Sequence, residues 1–189
     1  MKFIKVLAMA MLGAAWLGTT ASAQSTNIYP TTSTDIGTLE SMTNVLIVKG
    51  FGAGDTVSLG GGVLAVRLKE SYIPGDGQKF QALVLDFVQD GVHQRAVVDY
   101  AEIDSLLRAL DYIRTATYDV TGLPGFEATY QSRDGFRVVG LGSHRQSSVQ
   151  TFVQFDGCQR ILLDSDQMSQ LRAAIAQGRN TLDGLKARK

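Results

Sequence analysis

Arg95 and Arg160 are the residues whose type and spacing point most directly to chemistry. They open two matching segments, Arg95-Ala-Val-Val-Asp99 and Arg160-Ile-Leu-Leu-Asp164, at an offset of 65 positions. A guanidinium carries a planar fork of N–H donors that grips a carboxylate or phosphate through two parallel hydrogen bonds. Successive side chains on a strand point to opposite faces. That alternation puts His93, Arg95, Val97 and Asp99 on one face and Gln94, Ala96 and Val98 on the other. In the second copy, Cys158, Arg160 and Leu162 share the first of these faces, and Ile161 and Leu163 the second. Arg67 and Lys69 are expected to join the arginines from a neighbouring strand. Two readings stand. The four cations form a shallow sheet surface that holds acidic groups, or they make cross-strand ion pairs with Asp86 or similar carboxylates on a solvated face.

Other reactive residues form no recognisable apparatus. Ser143 and His144 are adjacent, so on an extended strand they point apart, and no Gly-x-Ser-x-Gly surrounds them. His93 and His144 are the only histidines, and neither sits at metal-ligand spacing. Asp86, Asp99, Asp164 and Glu127 are possible acids, with helix capping and surface charge as the competing roles. Gly50-Phe51-Gly52-Ala53-Gly54 resembles a phosphate loop, but no helix start follows it, so a structural glycine loop is expected. Cys158 is the only cysteine, which rules out an intrachain disulfide and suggests a small buried apolar side chain. No cofactor and no metal are expected.

The elements that must position the arginines follow from pattern. Asp-Gly pairs at 76–77, 90–91, 134–135 and 156–157 tolerate the positive φ angles of tight reversals. Strand-like segments flank them: 63–69, 80–88, 92–98, 126–132, 136–141, 149–155 and 158–163, with 44–49 weaker. Helical spacing takes over at Ile103, Leu106, Leu107, Leu110 and Ile113, and again at Met168, Leu171, Ile175, Gly178, Leu182 and Leu185. Asp99 with Glu102, and Asp164 with Gln167, stand where capping boxes stand. The two strand–helix units align, so the chain reads as a tandem repeat. The expected fold class is α+β: two pseudo-symmetric ββββα repeats, 44–116 and 125–189 joined by a linker 117–124, forming antiparallel sheet with helices packed on one face. Each helix is expected to fold back onto its own repeat.

Residues 1–23 have the form of a secretory signal. Lys2 and Lys5 precede the apolar run Val6–Leu17, and Ala21-Ser22-Ala23 is a small-x-small cleavage site. The run is shorter than the roughly 20 residues a spanning helix needs. Export to the periplasm or beyond is therefore expected, with a flexible Ser/Thr-rich leader at 24–43 and no membrane span after cleavage. Cleavage removes two of 18 basic residues, leaving 16 against 18 acidic ones, a balance that argues against nucleic acid as a partner.

The element order resembles the tandem repeats of the PUR-alpha and Whirly single-stranded-DNA-binding proteins. Arg160–Ile175 (RILLDSDQMSQLRAAI) is similar to the last strand and helix of transcriptional coactivators of that superfamily. The likeness extends further to exported bacterial proteins with an "LD-x-x-x-hydrophobic" strand end and a leucine-striped helix, which bring no activity with them. The DNA-binding relatives imply a basic sheet face with stacking aromatics, whereas this chain lacks an aromatic–basic run. The expected function is an exported, non-enzymatic protein- or ligand-interaction module. It would use the sheet face opposite the helices, with a protein partner or a second copy of the chain there. The alternatives are a single-stranded nucleic-acid-binding protein outside the cytoplasm and a hydrolase with a dispersed site.

Overall fold

The fold is described from a computed structural model covering residues 33–117, 119–143 and 149–187. Residues 1–23, expected to be a secretory signal, residues 24–32 of the expected leader and His144 lie outside the described residues. In chain order the elements are α1 (Asp35–Glu40), β1 (Val48–Gly52), β2 (Thr56–Leu59), β3 (Gly62–Tyr72), β4 (Lys79–Gln89), β5 (Val92–Asp99), α2 (Tyr100–Thr115), β6 (Gly125–Gln131), β7 (Arg137–Ser143), β8 (Gln150–Gln154), β9 (Ile161–Leu163) and α3 (Ser165–Lys186). The strands make two antiparallel sheets. One has the order β1-β3-β4-β5 with β2 also on β3, and the other is β6-β7-β8-β9. The chain is an α+β fold, as its pattern of strands and helices indicates.

All four Asp-Gly pairs fall at reversals, between β3 and β4, β4 and β5, β6 and β7, and β8 and β9. At the tightest, Asp90 and Gly91 both take positive φ (50° and 78°) in a two-residue loop closed by the Gln89–Val92 pair. That is the geometry a right-twisted hairpin requires.

The first repeat carries five strands, but β1 and β2 act as one strand with a bulge. β1 pairs the far half of β3 (Gly52 opposite Leu68) and β2 the near half (Thr56 opposite Ala65). Four steps along one strand thus face three along the other, which is one extra residue. The glycine-rich loop makes the bulge. A Cβ on Gly54 would lie 2.0 Å from the carbonyl oxygen of Val66, so no side chain is admissible there. Each repeat therefore reduces to four strands and a helix.

Both helices pack on the inner faces of the sheets, over one shared core. Leu64, Val66, Leu83, Leu85, Val98 and Phe87 from the first sheet meet Val138, Val153 and Phe155 from the second. Phe155 stacks at 6.2 Å on Phe87 and edge-on at 5.3 Å to Phe136. Burying each such side chain contributes about 1.5–3 kcal/mol.

The helices do not stay with their own repeats. α3 follows β9, yet it lies chiefly on β2, β3 and β4 of the first sheet. Gly178 permits the close approach, since a Cβ there would sit 2.8 Å from Leu83 Cδ2. α2 follows β5 but reaches β6 and β7, where Ile113 Cγ2 would be 2.8 Å from a Cβ on Gly140. The expectation of one helix per own sheet is thus corrected to an interlocked pair of repeats. The apolar stripe is wider than one sheet can cover, and two small residues, one on a helix and one on a strand, open the second contact.

The described part of the leader is also structured. Residues 35–40 form a helix capped by the Thr34 hydroxyl, which accepts from the Gly37 N–H at 3.0 Å. Ile36 and Leu39 are buried. Its apolar residues at i and i+3 give it a core-facing side, despite the surrounding Ser and Thr.

Candidate functional site

The outer face of the first sheet, opposite α2 and α3, is built from alternate residues of four strands. Its rows follow from register: Lys69–Ala82–Asp99, then Arg67–Val84–Val97, then Ala65–Asp86–Arg95, then Val63–Val88–His93. β1 adds Lys49 opposite Ser71 and Phe51 opposite Lys69.

α1 crosses the first of these rows. At its start, the Asp99 carboxylate accepts from the backbone N–H groups of Asp35 (2.6 Å) and Ile36 (3.4 Å). At its end, the Glu40 carboxylate accepts from Lys69 Nζ and Ser71 Oγ, both at 2.8 Å, and pairs with Lys49 at 3.2 Å. Burial pushes the Glu40 carboxyl up, but the hydrogen bonds from Lys69, Ser71 and Lys49 outweigh it and hold it below the ordinary carboxylate value. Asp99 stands the other way: burial raises its carboxyl above the ordinary value despite the Asp35 and Ile36 N–H donors. Arg133 ties the corner together, 2.6 Å from Asp35 and 3.4 Å from Asp99.

Beside α1 lies a cavity of about 170 Å³ lined by Phe51, Arg67, Lys69, Val84, Arg95 and Val97. Its floor is Val84 and Val97, and its rim is cationic. Phe51 stands 75% exposed at one end. Next to the floor is Asp86, a carboxylate only 5% exposed. Arg95 Nη2 donates to Asp86 Oδ2 at 3.1 Å, and Arg67 Nη2 lies 3.8 Å from the same oxygen. Asp86 Oδ1 is buried without a hydrogen bond, with His93 Nδ1 3.9 Å away. The arginine side chains are 59% (Arg67) and 63% (Arg95) exposed, so each spends one amino group on Asp86 and presents the rest of its fork to solvent.

Three of the four cations singled out from sequence therefore meet in one cleft, and the ion pairs with Asp86 are present as well. Arg160 does not join them. It precedes β9 on the other sheet and lies over the Phe152 ring at 4.4 Å. Register explains the difference. Val97 faces Val84 as Leu162 faces Phe152, so the place of Asp86 beside Arg95 falls, beside Arg160, to Gln154. An amide gives the guanidinium no buried charge to hold it, and the aromatic face does so instead. Likewise Val139 stands where Arg67 does, and Leu141 where Lys69 does.

The sequence reading missed Phe51, the α1 residue Glu40 that holds Lys69, and Asp134, which accepts the Val97 N–H at 2.7 Å and closes the β5 edge. Phe51 could have been found as the lone aromatic in a glycine-rich segment. Asp134 could not, because the contact joins residues 37 positions apart in different repeats. Cys158 is half-buried against the core. Asp99 and Asp164 are helix caps, with Glu102 and Gln167 accepting from their N–H groups at 3.3 and 3.1 Å. Among the described residues, no group of three or more His, Cys, Asp and Glu is placed to hold a metal ion, and no helix is long and apolar enough to cross a membrane.

No protein-family model, no curated protein and no solved structure matches the chain.

Proposed function

We propose that the chain is an exported binding module that holds an acidic, partly apolar segment of a partner protein in the cleft of Phe51, Arg67, Lys69, Val84, Arg95 and Val97. The observation that carries this reading is the sharing of one buried carboxylate, Asp86, by two arginines whose remaining donors face solvent. Asp86 fixes the two forks in place, and pre-positioned guanidiniums lose less entropy on gripping a carboxylate. The size of the cleft favours a protein segment over a free small molecule. Its 170 Å³ is below the roughly 300–1,000 Å³ of small-molecule sites and suits one anchoring side chain on the valine floor.

The test is fluorescence anisotropy with a labelled peptide of alternating Glu and Leu, its Gln–Leu counterpart, and a salt series. The Glu peptide should bind, weaken with salt and lose about tenfold or more in affinity to Arg67→Lys/Arg95→Lys, which keeps both charges but removes both forks. Equal binding of the Gln peptide, or an unchanged affinity in the lysine variant, refutes the proposal.

A further inference from the structure

We infer that α1 is a built-in competitor for the cleft: Glu40 holds the lysine that the partner's acidic segment needs, and the segment displaces α1 as it binds. This rests on the cleft reading above and adds its regulation. One side chain joins the two elements. Lys69 lines the cleft, yet its ammonium donates to Glu40 Oε2 at 2.8 Å and its side chain is only 14% exposed. Asp134 also acts on Lys69 through its charge. A further carboxylate drawn to that ammonium would stand beside two others, and like charges at close range repel. Asp134 is fixed by the Val97 N–H, whereas Glu40 belongs to an element that can leave. Lys69 is therefore won by the incoming carboxylate only as Glu40 gives it up.

α1 also has the chemistry proposed for the partner. Its sequence, Asp35-Ile36-Gly37-Thr38-Leu39-Glu40, is acidic at both ends and apolar between. It packs on β3 and β4, where the outer-face residues Ser71 and Ala82 are fully buried. The face thus already holds one acidic, partly apolar segment, supplied by the chain itself.

The helix is built to come away. Six residues are too few for a helix to stand alone in water, so α1 keeps its form only while docked. Ile36 and Leu39 are its only buried residues. Its other grips are polar and sit at its ends: Asp99 and Arg133 at the start, Lys49, Lys69 and Ser71 at Glu40. Residues 41–46, which lead to β1, are all exposed, so α1 can swing out with β1 still paired. Elements with few buried apolar contacts are the first to open locally. Docking of α1 and binding of the segment then oppose each other by the same factor, whichever is measured.

Amide hydrogen exchange of the full chain, with and without the labelled peptide of alternating Glu and Leu, tests this beside the anisotropy titration. Saturating peptide should speed exchange across residues 35–41 by about fivefold or more and leave β4 and β5 unchanged. Leu39→Ser loosens α1 without touching Lys69, and Glu40→Gln frees Lys69 without touching the apolar contact. Each should raise peptide affinity by about fivefold or more, an effect that a purely structural helix would not give. With Lys69→Met in place, adding Glu40→Gln should leave affinity unchanged, because the contested group is gone. Peptide that binds while residues 35–41 keep their protection, or that binds folded Leu39→Ser and Glu40→Gln with wild-type affinity, overturns the inference and leaves the cleft reading standing. Peptide that binds neither the wild type nor these variants overturns both.

Discussion

Removing both arginines from Asp86 should destabilise the protein far more than removing either one. Breaking a fully buried ion pair by deleting one partner costs about 3–5 kcal/mol, because it strands a charge in a poor solvent. An exposed pair is worth under about 1 kcal/mol. Asp86 belongs to the first case at 5% exposure and its arginines to the second at 59% and 63%, so the loss lies between. Arg67→Ala or Arg95→Ala alone leaves the other guanidinium free to close on Oδ2 and should cost about 0.5 kcal/mol. Arg67→Ala/Arg95→Ala leaves only the exposed His93 near the carboxylate and should cost about 2 kcal/mol, a coupling of about 1 kcal/mol beyond additivity. For a chain of this size that lowers Tm by about 4–8 °C. Adding Asp86→Leu to the double variant should recover most of the loss, since an apolar side chain needs no partner there. Urea unfolding followed by far-UV circular dichroism measures all four variants. Additive losses, or a triple variant no more stable than the double, would show that the arginines do not hold Asp86.

Glu40→Gln should cost about 1 kcal/mol at pH 7 by weakening the clasp of α1. The folded carboxyl lies below its ordinary 4.5, so this contribution is present above that value and lost as pH falls through the folded one. Urea midpoints from pH 7 to 3 should therefore show the variant and the wild type converging. Asp99 and Glu102 are both raised above their ordinary values of 3.8 and 4.5, first of all by burial. What they contribute is complete below those values and declines as pH rises through the raised ones, so Asp99→Asn/Glu102→Gln should flatten the stability–pH curve on the side above the two ordinary values. Gly54→Ala should destabilise by about 3 kcal/mol, read as a shift in the urea midpoint, because its methyl group must displace the Val66 carbonyl and with it the β1–β3 ladder.

Features of short range could be read from the residues. The hairpins follow from Asp-Gly, the helix starts from Asp99 and Asp164, and the inner and outer faces of β5 and β9 from alternation. Ala96 and Val98 are fully buried, and Ile161 and Leu163 nearly so, while Arg95 and Leu162 are exposed. The meeting of Arg67, Lys69 and Arg95 could be read too, because hairpin register carries strict alternation across β3, β4 and β5. Long-range features could not. The helix exchange depends on Gly178 meeting Leu83 and Gly140 meeting Ile113, and glycine leaves no mark in a hydrophobic pattern. The short helix α1 was hidden by a polar composition that outweighs two apolar residues. Arg160 was grouped with Arg95 because the repeat aligns them, while the partner that decides their roles lies on a different strand.

That last point bears on where binding can occur in a doubled fold. Matched by strand order and register, the first repeat carries Arg67, Lys69 and Asp86 where the second carries Val139, Leu141 and Gln154. A buried carboxylate is costly unless it is paired, and nothing in the second repeat shows that the sheet needs one, because Gln154 serves there by donating to the Cys158 carbonyl at 2.8 Å. Asp86 adds little to folding that an apolar side chain could not supply. What it does supply is a fixed orientation for two guanidiniums that long, exposed side chains would otherwise lack. If stability alone set the residue at this position, the first repeat would gain by resembling the second. That it carries a charge held by two half-exposed arginines is the physical reason to place the contact surface on the first sheet and not on its twin.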